Sequence, residues 1–506
     1  MKWRSALGPI AVLGSLFLGT RIGERLGPSS AVWMLVAACG CLGIAVMVGN
    51  ARRLVLAMVG FGLLGTATMA RSLNGLTDTP LVALAAAGRE VSVTVTLLDD
   101  PGGGRYQSEV PAAMSVLRFD SIDVGPTDAD STVGTDSLLR GPIEVGRTVL
   151  LSASGSAAGG LRLLEAGDRV ELSGRLEPLA DRWARWRWKH AVARLVVDEL
   201  SGFSASRSVL FRTANATRAL ILRGHRGLAS NERSLIAGFL LGDTRQVDFE
   251  VISNFRTAGM THLLAVSGAN VAFVLALLRP GLERFGLWTR CVGGLTTLVL
   301  FGVMTRWEPS VLRAVVMAGC ALLAQTLGRP QSAARVLVVA VIALIVVDPF
   351  LVHSVGFGLS VGATAGIAVF GTTLVERIRG PRWFRECLGV TLAAQMGVTP
   401  LLLAVFGSVS LVSIPANLFA VPLVGPLTMW GLIGGVSGGV IESFWPAASE
   451  ALQIPTAVML RAVQGIAALC ARFPVAVDAR GIWATFAIGC LFGAVRNTRL
   501  RRQAPA

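Results

Sequence analysis

Uninterrupted apolar runs of about 15 to 20 residues recur along the chain and set its first reading. Three of them open it, near residues 6–20, 31–49 and 54–70, each ended by arginine or by a Gly/Pro/Ser turn, and they predict three membrane helices. Lys2 and Arg4 precede the first run, but the two spans that follow it favour an uncleaved anchor over a signal peptide. Residues 72–200 then change to short β-rich runs: Val91–Leu98, Met114–Phe119, Thr148–Ser154 and Arg169–Leu176. Turn clusters at Asp99-Asp100-Pro101-Gly102-Gly103-Gly104 and Gly167-Asp168 punctuate them, and Ser121–Ser137 reads as a polar loop. This pattern predicts a small soluble barrel of the OB-like type.

From Arg207 to Arg233, six arginines face a single acid, Glu232, among Val209, Leu210, Phe211, Leu220, Ile221 and Leu222. Such a basic amphipathic segment is expected to lie on a membrane surface. Further apolar runs follow near 262–278, 287–304, 311–328, 335–348, 355–375, 388–441, 451–470 and 481–495. The 388–441 run is too long for one span and contains Pro400, Pro415, Pro422 and Pro426, so two or three helices are expected, some of them broken at depth. The fold class is a polytopic α-helical membrane protein with an inserted small β-barrel.

Composition agrees. Of 506 residues, 53% are apolar and 15% charged, with a mean hydropathy of +0.63, against about 25% charged in an ordinary soluble domain. A soluble enzyme is excluded. The formal charge of +15 rests almost wholly on arginine, since Lys2 and Lys189 are the only lysines, and it favours anionic partners. Residues 72–200 carry 13 Lys and Arg against 18 Asp and Glu, a net of −5, which leaves +20 on the remainder. The β domain is therefore a poor polyanion sponge. The loop Arg377, Arg379, Arg382, Arg385 and the tail Arg496, Arg499, Arg501, Arg502 are expected in the cytoplasm, as are Lys2, Arg4 and the Arg52-Arg53 turn; three spans then place the β domain outside. The seven cysteines lie scattered in apolar segments and the four histidines stand apart in sequence, so neither a metal site, a cofactor nor a catalytic centre is expected.

The densest polar stretch is Leu241–Asn270. Asp248 suits a helix N-cap and Gly259 a stop, bracketing a short reentrant or interfacial helix with Phe249, Ile252 and Phe255. His262, Ser267, Gly268 and Asn270 then enter an apolar run. Read as one helix, His262 and Asn270 fall about 12 Å apart and within roughly 80°, with Ser267 on the flank. Such a polar stripe either lines a cavity or serves interhelical packing.

The run Gly242-Asp243, Phe255-Arg256-Thr257-Ala258-Gly259 and Thr261-His262-Leu263-Leu264-Ala265-Val266-Ser267-Gly268 with Asn270 closely resembles the signature of the ComEC family of DNA-uptake channel proteins. Pro309-Ser310-Val311-Leu312-Arg313-Ala314, Asp348-Pro349 with Gly356-Phe357-Gly358-Leu359-Ser360, Gln395 with Pro400, and Leu411-Val412-Ser413-Ile414-Pro415-Ala416-Asn417 follow in the expected order, although Gly358 stands where the family usually has glutamine. The resemblance spans about Leu235–Val424. It implies a membrane pore passing single-stranded DNA into the cytoplasm, an OB-like domain outside, and partners comprising the lipid bilayer, a separate nuclease, and a cytoplasmic DNA motor or single-strand-binding proteins. The carboxy-terminal metallo-β-lactamase-like domain of many members has no counterpart in this sequence. The expected organisation is residues 1–71 as amino-terminal helices, 72–205 as the OB-like domain, 206–260 as the interfacial segment, 261–495 as the channel domain and 496–506 as a basic tail.

On that reading the DNA path is drawn through Asp243, Arg256, His262, Ser267, Gly268, Asn270, Arg313, Gln395 and Asn417. Plainer roles stand beside several of them: Arg313 snorkels, Asn417 caps a broken helix, Gln395 is interhelical glue. Trp183, Trp186 and Trp188, interleaved with Arg182, Arg185, Arg187 and Lys189, suit either base stacking or, as favoured here, a headgroup belt. The rival function is a membrane enzyme or small-molecule permease on the same scaffold.

Overall fold

A computed structural model describes the chain apart from residues 1, 27–30, 49, 78, 103–106, 119–142, 181–185, 187–188, 330 and 479–506. The Ser121–Ser137 loop, Trp183, Trp188, the 481–495 run and the 496–506 tail lie outside the described residues.

In chain order the elements are α1 (Lys2–Gly23), α2 (Ala31–Met47), α3 (Asn50–Thr77), α4 (Pro80–Ala86), β1 (Glu90–Leu97), β2 (Gln107–Arg118), β3 (Ile143–Ser154), α5 (Gly155–Leu161), β4 (Arg169–Pro178), β5 (Ala191–Ser204) and α6 (Val209–Gly224). They continue with α7 (Ser230–Leu241), α8 (Phe249–Thr257), α9 (Thr261–Leu264), α10 (Gly268–Leu282), α11 (Leu287–Met304), α12 (Pro309–Thr326), α13 (Ala333–Val347), a 3-10 turn (Pro349–His353), α14 (Val355–Arg377), α15 (Arg382–Phe406), β6 (Ser408–Ser410), α16 (Ser413–Ile441), α17 (Pro446–Leu452), α18 (Ile454–Ala471) and β7 (Ala476–Asp478). Among the described residues, seven helical stretches are long and apolar enough to cross a membrane, and four shorter apolar helices accompany them. The 388–441 run resolves into α15 and α16, with Pro400 inside the first and Pro422 and Pro426 inside the second.

The chain divides into two units, Met1–Arg223 with Leu275–Ser354, and Gly224–Val274 with Val355–Ala506. In the first, β1–β5 close a barrel in the order β1-β2-β3-β5-β4, antiparallel except for the β3–β5 pair, with α5 between β3 and β4. Alternation builds its interior: Val91, Val93, Val95 and Leu97 of β1 point inward, as do Val170, Leu172 and Leu176 of β4. Each such fully buried aliphatic side chain contributes about 1.5–3 kcal/mol. α4 adds Leu81 and Ala85 to this core.

In the same unit α1 packs on α3 through small residues. A side chain at Gly19 would begin 1.9 Å from the Gly62 carbonyl oxygen, so only glycine permits the approach, and the Thr66 hydroxyl donates to the Gly19 carbonyl at 2.9 Å. In the second unit α14 and α15 form a closely packed pair, while α16 meets α7, α15, α17 and α18. Half of α16's most apolar stretch is buried, against 11% in α14 and in α15. α16 is thus the interior helix of that unit.

Candidate functional site

The Leu241–Asn270 stretch folds into the end of α7, α8, α9 and the start of α10, all within the second unit. α7 stops at Gly242, in the left-handed region at φ +77°. Asp243 follows and is held by its near neighbour Arg245, whose Nε donates to Oδ1 at 2.8 Å and Nη2 to Oδ2 at 2.6 Å. Sequence reasoning named the acid and missed its cation, which stands only two residues on. Asp248 occupies the N-cap position of α8, as expected, without a side-chain cap bond. Gly259, at φ +68°, ends that helix, and a Cβ there would stand 2.5 Å from Cβ of Ser413. Its bare backbone lets α8 meet the start of α16, and just before that helix, at the end of β6, the Ser410 hydroxyl donates to the Thr257 carbonyl at 3.1 Å. Arg256, in the last turn of α8, is exposed and has no ion-pair or hydrogen-bond partner among the described residues.

The single polar face expected for His262, Ser267 and Asn270 does not form. α9 ends after Leu264, Ala265 is extended at φ −92° and ψ 149°, and a new helix begins at Gly268. The physical reason lies in Ser267: a serine ahead of a helical run favours a helix start over a helix interior. Ser267 then meets Asn270 at that start, its hydroxyl donating to Asn270 Oδ1 at 3.2 Å, while its carbonyl accepts from the Asn270 backbone N–H. Asn270 is 3% exposed and donates from Nδ2 to the Phe239 carbonyl at 2.7 Å, tying α10 to α7. His262 is exposed on α9, apart from this pair.

Asn417 lies one turn beyond Ser413 on α16, 8% exposed, and its Oδ1 has no partner among the described residues. Thr428, 1% exposed on the same helix, has a hydroxyl in the same condition. Eleven residues separate them, about three turns, so both fall on one face within roughly 20°. Gln395 is half-buried on α15, and its carbonyl accepts from the Thr399 hydroxyl. Among the described residues no hydrogen bond joins Gln395, Asn417 and Asn270.

Arg313 and Trp186 belong to the first unit. Arg313 is buried one turn into α12, with Nη1 3.4 Å from Met317 Sδ. Trp186 packs beside Leu150, Leu179 and Ala191 on the barrel's outer side, and the Lys189 ammonium sits 5.2 Å from its ring centroid. Lys189 also pairs with Asp99 at 3.0 Å. One face of that indole is thus committed to the barrel.

The first unit also holds an ion cluster that sequence reasoning did not find. Asp100, from the turn after β1, accepts from Arg218 Nη2 at 2.7 Å and from Arg306 Nε at 2.9 Å, as well as from the Ala166 backbone N–H. Arg218 Nη1 donates further to the Met304 carbonyl, and Arg306 Nη1 to Asn215 Oδ1. Arg218 is therefore buried, not on a solvated face of α6. Burial pushes the Asp100 carboxyl up, but the two guanidiniums outweigh it and hold it below the usual carboxylate range. Arg306 and Trp307 are both left-handed, at φ +55° and +53°, a strained turn sustained by these contacts. Pairings at sequence separations of 118 and 206 leave no local signal.

Among the described residues no group of three or more His, Cys, Asp or Glu is placed to hold a metal ion.

Residues 239–502, more than half of the chain, match the family model described as Competence protein. Among curated proteins, ComE operon protein 3 of Bacillus subtilis (strain 168) is 25% identical over 287 residues, and Uncharacterized protein YcaI of Escherichia coli (strain K12) is 27% identical over 246. These alignments take in 54% and 44% of this chain but 36% and 32% of those proteins, so the chain spans about a third of the length of the curated relatives it matches. No solved structure matches the chain.

Proposed function

Because the chain belongs to the competence protein family, we propose that it carries DNA across the plasma membrane during transformation, as a channel for a single strand. The observation that carries this reading is the family match over 239–502, which takes in both Asn270 and the interior helix α16 with its two unpaired polar side chains. A buried polar atom left unpaired costs about 1–3 kcal/mol, and a strand would satisfy both, its base amino groups donating to Asn417 Oδ1 and its phosphates accepting from the Thr428 hydroxyl. Arg256, exposed and unpaired, is suited to meet phosphate at the mouth. The barrel, five-stranded and closed, is read as an OB-type module outside the cell. A separate nuclease and a cytoplasmic motor or single-strand-binding protein would complete the pathway. The test is uptake of labelled DNA by a deletion strain, scored separately for surface-bound and internalised label. Loss of internalised label with surface label intact supports the channel; unchanged internalisation overturns it and leaves a permease or membrane enzyme.

Orientation follows from counting the eleven apolar helices as crossings from a cytoplasmic amino terminus. Arg279, Arg284 and Arg290, then Arg329 and Arg335, then Arg377 to Arg385 all fall at cytoplasmic ends. Two contacts inside the first unit support the count without using charge bias: the barrel meets the α11–α12 turn through Asp100 and Arg306, and the α13 end through His190 and Asp348, at 3.2 Å. By the count both are outer ends. Reporter fusions at Gly155 and Gly380 should therefore be labelled from opposite sides; labelling of both from one side would defeat the scheme.

A further inference from the structure

Where the last turns of α3 approach β3 and the start of β5, the first unit holds a cavity of about 330 Å³. Its lining includes Arg71, Ser72 and Gly75 from α3, Arg147 and Thr148 from β3, and His190, and no carboxylate stands among the described residues that line it. Arg71 and Arg147 are both exposed, and neither has a hydrogen-bond or ion-pair partner among the described residues. Arg147 reaches across α3, with Nη1 3.7 Å from where a Cβ would stand on Gly75. His190 adds a third nitrogen donor through Nδ1 when its ring is protonated, because Nε2 is taken by Asp348; it sits at φ +62° and its ring packs edge-on against Phe350. The hydrogen bond to Asp348 raises its imidazole above the ordinary histidine value against the opposing effect of burial. Two planar guanidiniums drawn from different elements, an imidazole and two hydroxyls form a donor set for a tetrahedral anion.

We propose that this cavity binds the phosphate of an anionic phospholipid headgroup, seating the barrel on the membrane. Depth favours lipid over nucleic acid, because Arg71, Ser72 and Gly75 occupy the last turns of a membrane-spanning stretch, Arg52–Leu76, where headgroups lie. Charge favours it too: residues 72–200 carry −5, which repels a polyanion but leaves a local two-arginine pocket able to hold one phosphate ester. The volume suits one small headgroup and not a run of nucleotides. The inference rests on the membrane setting and not on DNA transport, so the two fail separately.

The full-length chain, purified in neutral detergent, is to be titrated with phosphatidylglycerol or with phosphatidylcholine and read by native mass spectrometry and by melting temperature. Phosphatidylglycerol should be retained and raise the melting temperature, while phosphatidylcholine should do neither. Arg71→Gln and Arg147→Gln should each weaken phosphatidylglycerol binding about fivefold, and the double variant about 25-fold. Arg71→Lys with Arg147→Lys, which keeps the charge, should restore most of it. Equal retention by wild type and the double Gln variant overturns the site. Equal protection by inorganic phosphate, or displacement of the lipid by a short single-stranded oligonucleotide, overturns the lipid as its occupant. A double Gln variant that melts below wild type in phosphatidylcholine would show that the arginines serve folding, which also overturns the proposal.

Discussion

Changing Asp100 to asparagine should destabilise the unit that contains the barrel by about 3–5 kcal/mol, the cost of breaking a buried ion cluster from one side. The substitution keeps the shape and removes the charge. Arg218 and Arg306, 2% and 6% exposed, would then lose the carboxylate that bridges them, with the half-buried Glu165 the acid left beside them. The strained Arg306-Trp307 turn would lose the contact that sustains it, so thermal unfolding in detergent, followed by tryptophan fluorescence, should shift downward. An exposed pair supplies the control: Glu90→Gln, facing Arg175 at 3.9 Å with Arg175 56% and Glu90 78% exposed, should cost under about 1 kcal/mol. The acid limb gives a second readout. Because the folded Asp100 carboxyl lies below its usual range, its contribution is fully present above the unfolded value near about 3.9 and is lost as pH falls through the folded value. The variant should therefore show a flatter decline between pH 5 and pH 3 than the wild type, these bounds being about one unit either side of that value. Coincident melting of the two proteins at pH 7 would mean that the cluster does not hold the barrel in place.

What local pattern encodes was legible in the chain, and what depends on distant pairing was not. Apolar runs and an acidic β-rich insert separate the helices from the barrel because both periodicities are local. β5 escaped notice because its start adjoins the Trp and Arg run, whose unusual chemistry masked the alternation of Ala191, Ala193, Leu195 and Val197. The polar stripe failed for a related reason. Spacing alone treats Val266-Ser267-Gly268 as helix interior, whereas serine ahead of glycine marks a restart, and the break redirects Asn270 to the Phe239 carbonyl. Asp100 looked like a turn residue and Arg218 like one of several surface arginines, since nothing near either reveals a partner more than a hundred residues away. For the same reason the acid at 243 could be named, whereas the unpaired Asn417 oxygen, set by packing around α16, could not.

Asn417→Leu should leave the protein at normal membrane levels, melt no lower than wild type, and reduce DNA internalisation at least about tenfold while surface binding persists. The stability half follows from the unpaired oxygen: leucine repeats the branched outline of asparagine, and the gain from removing an amide that is 92% buried with Oδ1 unsatisfied among the described residues offsets the cost of its larger volume. The uptake half follows from the proposed path along α16, where a lost polar contact to each passing nucleotide, about 1.4 kcal/mol, corresponds to tenfold. Asn270→Leu is the instructive contrast. Its amide already donates to the Phe239 carbonyl, so leucine would strand that acceptor in the interior and cost about 1–3 kcal/mol, lowering the melting temperature and the membrane level together. A loss of uptake there would report folding, whereas a loss at Asn417 with a normal melting temperature reports the path. Wild-type internalisation by Asn417→Leu at normal membrane level would remove this face of α16 from the route, and Thr428→Val, three turns along the same face, should then be equally silent.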